Sequence, residues 1–227
     1  MPAQRRPSTD LPRERPTSTL LPLETVQLLA AGAALLPAYA IRLADALASQ
    51  VRELLREAPL RHMVTPGGQR MSVAMSNCGA AGWISDRRGY RYETRDPQSG
   101  LSWPQMPPPL RQLARDAAGC AGYADFDPDA CLINCYAPDT RLSLHQDRDE
   151  RDLSAPVVSV SLGLPAVFLY GGLQRRDRVR RVPLFHGDVV VWGAAQRLVF
   201  HGVAPLADGE HPATGRCRLN LTFRRAF

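Results

Sequence analysis

The residues best placed to do chemistry are two histidines and one aspartate in the second half of the sequence. Leu144-His145-Gln146-Asp147 contains a His-x-Asp pair, and His201 follows at the end of another β-prone run. Because residues i and i+2 of a strand point to the same side, His145 and Asp147 can face one metal ion. Two imidazoles and one carboxylate leave the opposite side of the metal open, which suits non-haem Fe(II) oxygen chemistry. Any one of these histidines alone is more often a surface residue or a satisfied core residue.

The C-terminal run, residues 218–224, adds a candidate anion receptor. Alternation along a strand places Arg218, Asn220, Thr222 and Arg224 on one face, with leucine and phenylalanine on the other. Two guanidiniums on one strand face can bind carboxylates through paired hydrogen bonds. A dicarboxylate such as 2-oxoglutarate could be held there while its keto-acid end reaches the metal. The alternative is an antiparallel strand with one solvated face.

A third polar pair precedes the His-x-Asp motif. Asn134 and Tyr136 share a face of the β-prone run 131–136 and offer polar groups to the same region. The alternative for Tyr136 is a core aromatic residue with a satisfied hydroxyl.

The elements that must position these residues change character along the chain. Helical spacing predicts a helix over residues 41–56, with Leu43, Leu47, Val51, Leu54 and Leu55 on its apolar face, and a second helix over 110–121. The Gly- and Pro-rich stretch 65–109 predicts loops and short strands rather than core. Short β-prone runs then follow at 131–136, 157–162, 166–170, 188–192, 198–200 and 218–223. Helices before an all-β half predict helices packed on a β-sandwich or barrel.

Composition limits the class of protein. The 227 residues, 44% of them hydrophobic, suffice for one domain after a Pro- and Arg-rich stretch that predicts a disordered tail over residues 1–20. No apolar run has the length of a membrane-spanning helix and no signal-peptide pattern opens the chain, so we expect a cytoplasmic protein without membrane contact. The odd number of cysteines, five, without a CxxC pair, predicts free thiols.

The charge balance favours anionic partners. The net charge is +6, and all 28 basic residues are arginine. The flat guanidinium fork binds phosphate and carboxylate well, which suits a nucleic acid. A codon bias towards arginine explains most of the missing lysine equally well, so charge is only weak support.

Taken together, the motifs resemble the AlkB family of DNA-repair dioxygenases over nearly the whole chain after the tail. The matching stretches are MVTPGG (63–68), MSVAMSNCG (71–79), DACLIN (129–134), LSLHQD (142–147), VSVSLGLP (158–165), HGDVVVWG (186–193) and NLTFR (220–224). The resemblance implies an α+β, mainly β fold: a double-stranded β-helix (jelly-roll) core at about 125–227, with N-terminal helices and a nucleotide-recognition lid at about 60–109. Residues 21–227 would form this single domain.

The resemblance also assigns roles to individual residues. It implies that His145, Asp147 and His201 bind Fe(II). Arg218 and Arg224 would bind 2-oxoglutarate, helped by Asn134, Tyr136 and Asn220. Trp83, Tyr90, Asp149 and Arg175 would contact the damaged nucleotide, although Asp149 and Arg175 both lie in charge runs of a kind that is usually solvated. In one departure, Gln69 follows the Thr-Pro-Gly-Gly loop where the family's bacterial member has a tyrosine, which bears on how strongly the lid holds a strand.

The implied activity is removal of alkyl groups from bases such as 1-methyladenine and 3-methylcytosine in DNA. The co-substrates would be O₂ and 2-oxoglutarate, and the products succinate, CO₂ and formaldehyde. We expect a monomer that prefers single-stranded DNA. Two alternatives stay open: a demethylase acting on RNA or on a modified protein, and a non-catalytic nucleic-acid-binding module on the same fold.

Overall fold

The computed structural model describes residues 26–227, so the tail predicted for residues 1–20 lies outside the described residues. Within this range there are two α-helices, α1 (Ala44–Glu57) and α2 (Pro108–Cys120). The thirteen strands are β1 (Gln27–Ala30), β2 (Ala33–Leu36), β3 (Ala74–Gly79), β4 (Gly82–Asp86), β5 (Gly89–Glu93), β6 (Ala130–Tyr136), β7 (Leu142–His145), β8 (Val157–Gly163), β9 (Ala166–Tyr170), β10 (Arg180–Leu184), β11 (Val189–Trp192), β12 (His201–Val203) and β13 (Arg218–Arg224).

The strands form two main sheets and a separate hairpin. The major sheet has the order β1-β2-β11-β8-β13-β6-β3, and the minor sheet has the order β10-β9-β12-β7. All of their pairings are antiparallel. The lid hairpin is formed by β4 and β5. This mainly β arrangement confirms the predicted jelly-roll class.

The two faces of the major sheet have different partners. Leu219, Leu221 and Phe223 pack with Leu47 of α1 and Leu110 of α2 in one apolar cluster. On the opposite face, a second cluster joins the major and minor sheets through Ala33, Leu35, Val157, Phe168, Tyr170, Val182, Leu184, Val190, Val199 and Trp192. The alternation predicted for β13 is therefore confirmed. Its polar face is not solvated, however, because it lies inside the double sheet, where Arg218 and Arg224 are 1% and 6% exposed.

Several predicted elements were wrong in place or extent. The strand predicted at 198–200 begins only at His201, because the Val199 amide donates to the Gln196 carbonyl and closes a turn. The helices do not come first: β1 and β2 precede α1 and extend the major sheet. Leu43, predicted on the apolar face of α1, is 49% exposed at its N-cap.

The lid region also contains core structure that the sequence did not predict. Strand β3 pairs with β6 along its whole length and forms the edge of the major sheet. Four of its side chains are buried: Met75, Ser76, Asn77 and Cys78. Glycine and asparagine made this segment resemble a loop, but pairing with a buried strand outweighs those weak local preferences.

The predictions on membrane-spanning segments and on cysteines can be checked within the described residues. Neither α-helix within residues 26–227 has the length and apolar character needed to cross a membrane. All five cysteines lie in this range and are free thiols, as predicted.

Candidate metal centre and substrate cavity

The structure brings the three predicted metal ligands together at one end of the minor sheet. His145 ends β7 and His201 begins β12, and the two residues are directly paired across the strands. Asp147 follows β7, with its carboxylate oxygens 3.6 Å from Nε2 of His145 and 3.7 Å from Nε2 of His201. Within residues 26–227, this is the only group of three or more candidate metal-binding side chains, and its ligand atoms lie within 4.8 Å of one another.

The hydrogen bonds of the two imidazoles fix which nitrogen faces the centre. Nδ1 of His145 donates to the Ser143 carbonyl at 2.9 Å, and Nδ1 of His201 donates to the Val199 carbonyl at 3.0 Å. With the proton on Nδ1, each Nε2 carries a free lone pair towards Asp147. Trp192 packs against the ring of His201 at a centroid distance of 4.8 Å. The donor set and its orientation therefore fit a divalent transition metal such as Fe(II).

Electrostatics keep His201 and Asp147 in the protonation states that metal binding needs. Burial lowers the pKa of His201 to about 4, and His145 adds to this effect, so the imidazole is neutral at neutral pH. Burial opposes ionisation of Asp147. The Arg224 guanidinium and the two imidazoles outweigh burial and hold the pKa of the Asp147 carboxyl well below its usual range. The site therefore presents a neutral His201 imidazole and an ionised Asp147 carboxylate, the forms that bind a metal.

A cavity of about 800 Å³ opens above the three ligands. Eleven of the twelve predicted site residues line it: His145, Asp147, His201, Asn134, Tyr136, Asn220, Arg224, Trp83, Tyr90, Asp149 and Arg175. The exception, Arg218, lies beside the lining residue Tyr136, with its guanidinium carbon 5.1 Å from the ring centre. Gln69 also lines the cavity.

Arg218 has the properties of a carboxylate receptor. Its Nη2 donates to the Ser161 hydroxyl at 2.9 Å, but the buried Nε and Nη1 have no hydrogen-bond acceptor among residues 26–227. Leaving such donors buried and unpaired costs about 1–3 kcal/mol each, which a bound carboxylate would recover. Arg218 therefore fits one carboxylate of 2-oxoglutarate.

Asn220 is held rigidly between Arg218 and Arg224 on the same face of β13. Its Nδ2 donates to the Ser159 hydroxyl at 2.8 Å and to the Val160 carbonyl at 3.0 Å. Its Oδ1 accepts hydrogen bonds from the Thr222 hydroxyl at 3.1 Å and from Asn134 Nδ2 at 3.4 Å. The buried Oδ1 of Asn134 has no donor within the described chain, so it is a free acceptor at the cavity wall.

Arg224 is engaged differently from Arg218. Its Nη2 and Nε donate to Oδ2 of Asp147 at 2.8 Å and 3.1 Å. Its Nε also lies 3.3 Å from the Glu150 carboxylate. The two guanidiniums are thus not an equivalent pair: Arg224 is tied to the metal carboxylate, and Arg218 is the one with unpaired donors.

A buried ion pair behind the metal carboxylate was missed by sequence reasoning. Glu150 accepts from Arg197 Nη2 at 2.8 Å and from the Tyr92 hydroxyl at 2.7 Å, and Arg197 Nη1 donates to the Asp147 carbonyl at 2.6 Å. Glu150 lies in the charge run 147–152, for which a solvated turn is the usual expectation. That expectation is wrong for Glu150, which is 7% exposed. No local signal identifies Arg197, because it is far from Glu150 in sequence.

The opposite wall of the cavity belongs to the lid. The Trp83 ring on β4 stacks on Tyr90 of β5, with centroids 5.6 Å apart and planes inclined by 12°. The Trp83 indole nitrogen donates to Oδ2 of Asp149 at 2.8 Å. Arg175 donates to the Leu144 carbonyl at 2.6 Å and lies over the Phe200 ring. The four predicted substrate residues thus surround one opening.

The fold and the metal site are those of a 2-oxoglutarate- and Fe(II)-dependent oxygenase. In agreement, the family model described as the 2OG-Fe(II) oxygenase superfamily matches residues 32–224. The chain is 56% identical over 198 residues to alpha-ketoglutarate-dependent dioxygenase AlkB of Escherichia coli K12, covering 87% of this chain and 92% of the relative. It is 46% identical over 171 residues to the AlkB homolog of Caulobacter vibrioides, covering 75% and 76% of the two chains. The chain therefore belongs to the AlkB family within the 2OG-Fe(II) oxygenase superfamily.

More distant comparisons agree with this assignment. Human nucleic acid dioxygenase ALKBH1 is 32% identical over 131 residues, which cover 56% of this chain and 33% of that protein. The solved structure of OsALKBH1 superposes with a TM-score of 0.78 at 29% identity, covering 88% of this chain and all of that one. The protein is an Fe(II)- and 2-oxoglutarate-dependent dioxygenase, as the sequence predicted.

Proposed function

We propose that the protein removes alkyl groups oxidatively from N-alkylated bases in DNA, such as 1-methyladenine and 3-methylcytosine. The observation that carries this proposal is the shared cavity, in which the metal ligands face a wall formed by Trp83, Tyr90 and Asp149. The aromatic ring of Trp83, hydrogen-bonded to the carboxylate of Asp149, suits a flat cationic base. The name of the human relative, a nucleic acid dioxygenase, supports a nucleic-acid substrate.

The iron and co-substrate supply the oxidising chemistry: 2-oxoglutarate and O₂ become succinate and CO₂, one oxygen atom reaches the alkyl carbon, and a methyl group leaves as formaldehyde. The residues of this chain bind and orient. His145, Asp147 and His201 would hold the metal. Arg218 would bind the distant carboxylate of 2-oxoglutarate through its unpaired donors, with Asn220 locked beside it. Arg224 would keep the Asp147 carboxylate oriented through its two hydrogen bonds.

A base inside a duplex cannot reach this cavity, so the target nucleotide must leave the base stack. Extrusion costs a few kcal/mol, less for a damaged base or a single strand. Stacking on an aromatic side chain stabilises the extruded base by about 1–3 kcal/mol. Trp83 is the ring placed to do this, since it is fixed between Tyr90 and Asp149. We therefore propose a preference for single-stranded DNA.

Asp149 provides a basis for choosing damaged bases over normal ones. Methylation at N1 of adenine or N3 of cytosine makes the ring cationic, whereas the normal bases are neutral. A carboxylate about 4 Å from that charge contributes about 1 kcal/mol in water and more in a partly buried cavity. The hydrogen bond from Trp83 holds this carboxylate beside the stacking plane. We propose that Asp149 favours the cationic lesions.

The alternatives from the sequence differ in how well the site supports them. The metal ligands and family membership favour an enzyme over a non-catalytic binding module. The cavity volume of about 800 Å³ is compatible with a nucleotide, and the lining residues do not distinguish DNA from RNA. We propose DNA, with RNA as a competing substrate, and we propose that the enzyme acts as a cytoplasmic monomer.

The test is an assay with purified protein, Fe(II), ascorbate, 2-oxoglutarate and a single-stranded DNA oligomer carrying one 1-methyladenine. Mass spectrometry follows loss of the methyl group, and an RNA oligomer of the same sequence is run in parallel. We expect methyl loss from DNA that requires 2-oxoglutarate and disappears in His145→Ala. Conversion of 2-oxoglutarate without methyl loss from DNA would contradict the proposed substrate.

A further inference from the structure

The connection between β9 and β10 is a strongly basic segment at the edge of the cavity. Residues 171–181, here called the arginine hairpin, contain Arg175, Arg176, Arg178, Arg180 and Arg181 against one acidic residue, Asp177. Five positive charges and one negative charge leave the segment with a net charge of +4. All five arginines are exposed.

Strand register places the arginine hairpin at the metal end of the minor sheet. Across that sheet, His145 of β7 pairs with His201 of β12, His201 pairs with Tyr170 of β9, and Tyr170 pairs with Arg180 of β10. Tyr170 and Arg180 thus lie in the same row of paired residues as the two metal-binding histidines. The arginine hairpin extends from Tyr170 and Arg180 past this row, at the metal end of the sheet. Its residue Arg175 already lines the cavity. The hairpin is therefore continuous with the opening through which a substrate enters.

No carboxylate among the described residues neutralises the charges of the arginine hairpin. Arg175 and Arg180 donate to the carbonyls of Leu144 and Leu29, and Arg176 donates to the Gln174 side chain. Within residues 26–227, none of the five arginines has a carboxylate within ion-pair distance. The carboxylate of Asp177 points into the hairpin turn, where it accepts a hydrogen bond from the Gln174 amide at 2.9 Å.

Several exposed arginines elsewhere do form ion pairs. Arg111 pairs with Asp127, Arg88 pairs with Asp86 at 3.4 Å, and Arg216 pairs with Asp208 at 2.8 Å. The charges of these three side chains are balanced by a carboxylate of the protein. The guanidiniums of the arginine hairpin have no ion-pair partner within residues 26–227, and their planar fork matches the bidentate geometry of phosphate oxygens.

We propose that Arg176, Arg178 and Arg181 bind backbone phosphates of the polynucleotide strand beyond the nucleotide that occupies the cavity. This inference rests on the proposed function and extends it from one nucleotide to a length of strand. Arg175 and Arg180 are held by backbone carbonyls at the base of the hairpin and position it. Within residues 26–227, the other three have no such hydrogen bond to the body of the protein. Their clustered charge beside the cavity opening suits the regularly spaced phosphates of a strand that enters it.

The test compares strand length in a charge-matched pair of triple variants. The hairpin variant is Arg176→Gln/Arg178→Gln/Arg181→Gln. The control variant is Arg42→Gln/Arg56→Gln/Arg115→Gln, which removes the same charge from exposed positions at or near the two helices, on the other side of the major sheet. Binding is measured by fluorescence anisotropy with 2-oxoglutarate and Mn(II) in place of Fe(II). The probes are a trinucleotide and a single strand of about 15 nucleotides, each with one 1-methyladenine, between about 50 and 200 mM salt.

The hairpin variant should bind the long strand at least about tenfold more weakly than the wild type at the low-salt end. The slope of log K against log salt should fall by about 2, because each released single-strand phosphate contact contributes about 0.7. Its affinity for the trinucleotide should be unchanged, and the control variant should keep the wild-type slope. An unchanged slope in the hairpin variant, an equal loss in the control variant, or an equal loss with the trinucleotide would overturn the proposal.

A demethylation assay on the same probes separates the two proposals. If the wild type demethylates both probes but the hairpin variant binds the long strand as the wild type does, only the hairpin inference fails. If the slope falls in the hairpin variant but the wild type demethylates neither probe, the phosphate surface stands and the proposed function fails.

Discussion

The two walls of the cavity differ in burial and in the secondary structure that supports them. The metal wall, formed by His145, Asp147, His201, Asn220 and Arg224, rises from strands of the double sheet, and its side chains are largely buried and hydrogen-bonded. The lid wall, formed by Gln69, Trp83 and Tyr90, rests on a loop and a two-stranded hairpin, and Tyr90 is 46% exposed. The difference separates two tasks: the metal wall needs fixed geometry for chemistry, and the lid wall needs access for a large substrate.

The largest expected effect comes from breaking the support of the metal wall. Arg197→Met removes the 2.8 Å ion pair of the buried Glu150 carboxylate and leaves it with the Tyr92 hydroxyl and the longer 3.3 Å contact to Arg224. We therefore expect a loss of about 3–5 kcal/mol in the free energy of unfolding. The double variant Arg197→Met/Glu150→Met should recover most of this loss, because it also removes the buried carboxylate. Urea denaturation checks both. A single variant as stable as the wild type would show that the ion pair does not support the metal wall.

The next effect concerns the co-substrate. Arg218→Lys removes the planar fork while keeping the charge, so we expect the KM for 2-oxoglutarate to rise about 10- to 100-fold. Metal affinity should stay unchanged, because Arg218 does not contact the three ligands. Steady-state kinetics measures the first and titration with Mn(II) the second. Arg216→Lys, two residues earlier and exposed, is the matched control. An unchanged KM would remove Arg218 from the co-substrate site.

On the lid wall, we expect Trp83→Ala to lower kcat/KM for a methylated oligonucleotide about 5- to 150-fold, the equivalent of the 1–3 kcal/mol of lost stacking. Slow conversion of 2-oxoglutarate without DNA should persist, because the metal wall is intact. Leu101→Ala changes an exposed apolar lid residue that does not line the cavity and serves as control. Equal loss of both activities would show that Trp83 supports the fold rather than the substrate.

The smallest effect is a change of preference. Asp149→Asn keeps an acceptor for the Trp83 indole but removes the charge, so we expect the preference for cationic 1-methyladenine over a neutral N-alkylated base to fall about five- to tenfold. Competition between two oligomers in one tube measures the ratio directly. A preference equal to that of the wild type would show that the charge of Asp149 does not contribute to the choice of lesion.

The difference between the two walls also explains which site residues could be predicted from the sequence. Strand periodicity alone placed His145 beside Asp147 and put Arg218 and Arg224 on one face, because regular strands impose a period of two. It could not distinguish the engaged Arg224 from the orphan Arg218, since that difference depends on neighbours from other strands.

Other features depended on family resemblance or were missed. The positions of Trp83, Tyr90, Asp149 and Arg175 around the cavity were expected only from the resemblance, because loops carry no periodic signal. Burial of Glu150 was missed because its partners, Tyr92 and Arg197, are distant in sequence. Strand β3 was assigned to the lid because local composition cannot reveal pairing with a strand more than 50 residues away.

The central claim is that the metal wall and the lid wall act on one substrate, and product stoichiometry tests it most directly. With a 1-methyladenine strand in excess, we measure succinate, formaldehyde and repaired adenine in the same reaction. We expect equal amounts of all three from the wild type, with repair and formaldehyde falling more than succinate in Trp83→Ala. Succinate formed without formaldehyde or repaired base, despite the methylated strand being bound, would contradict it.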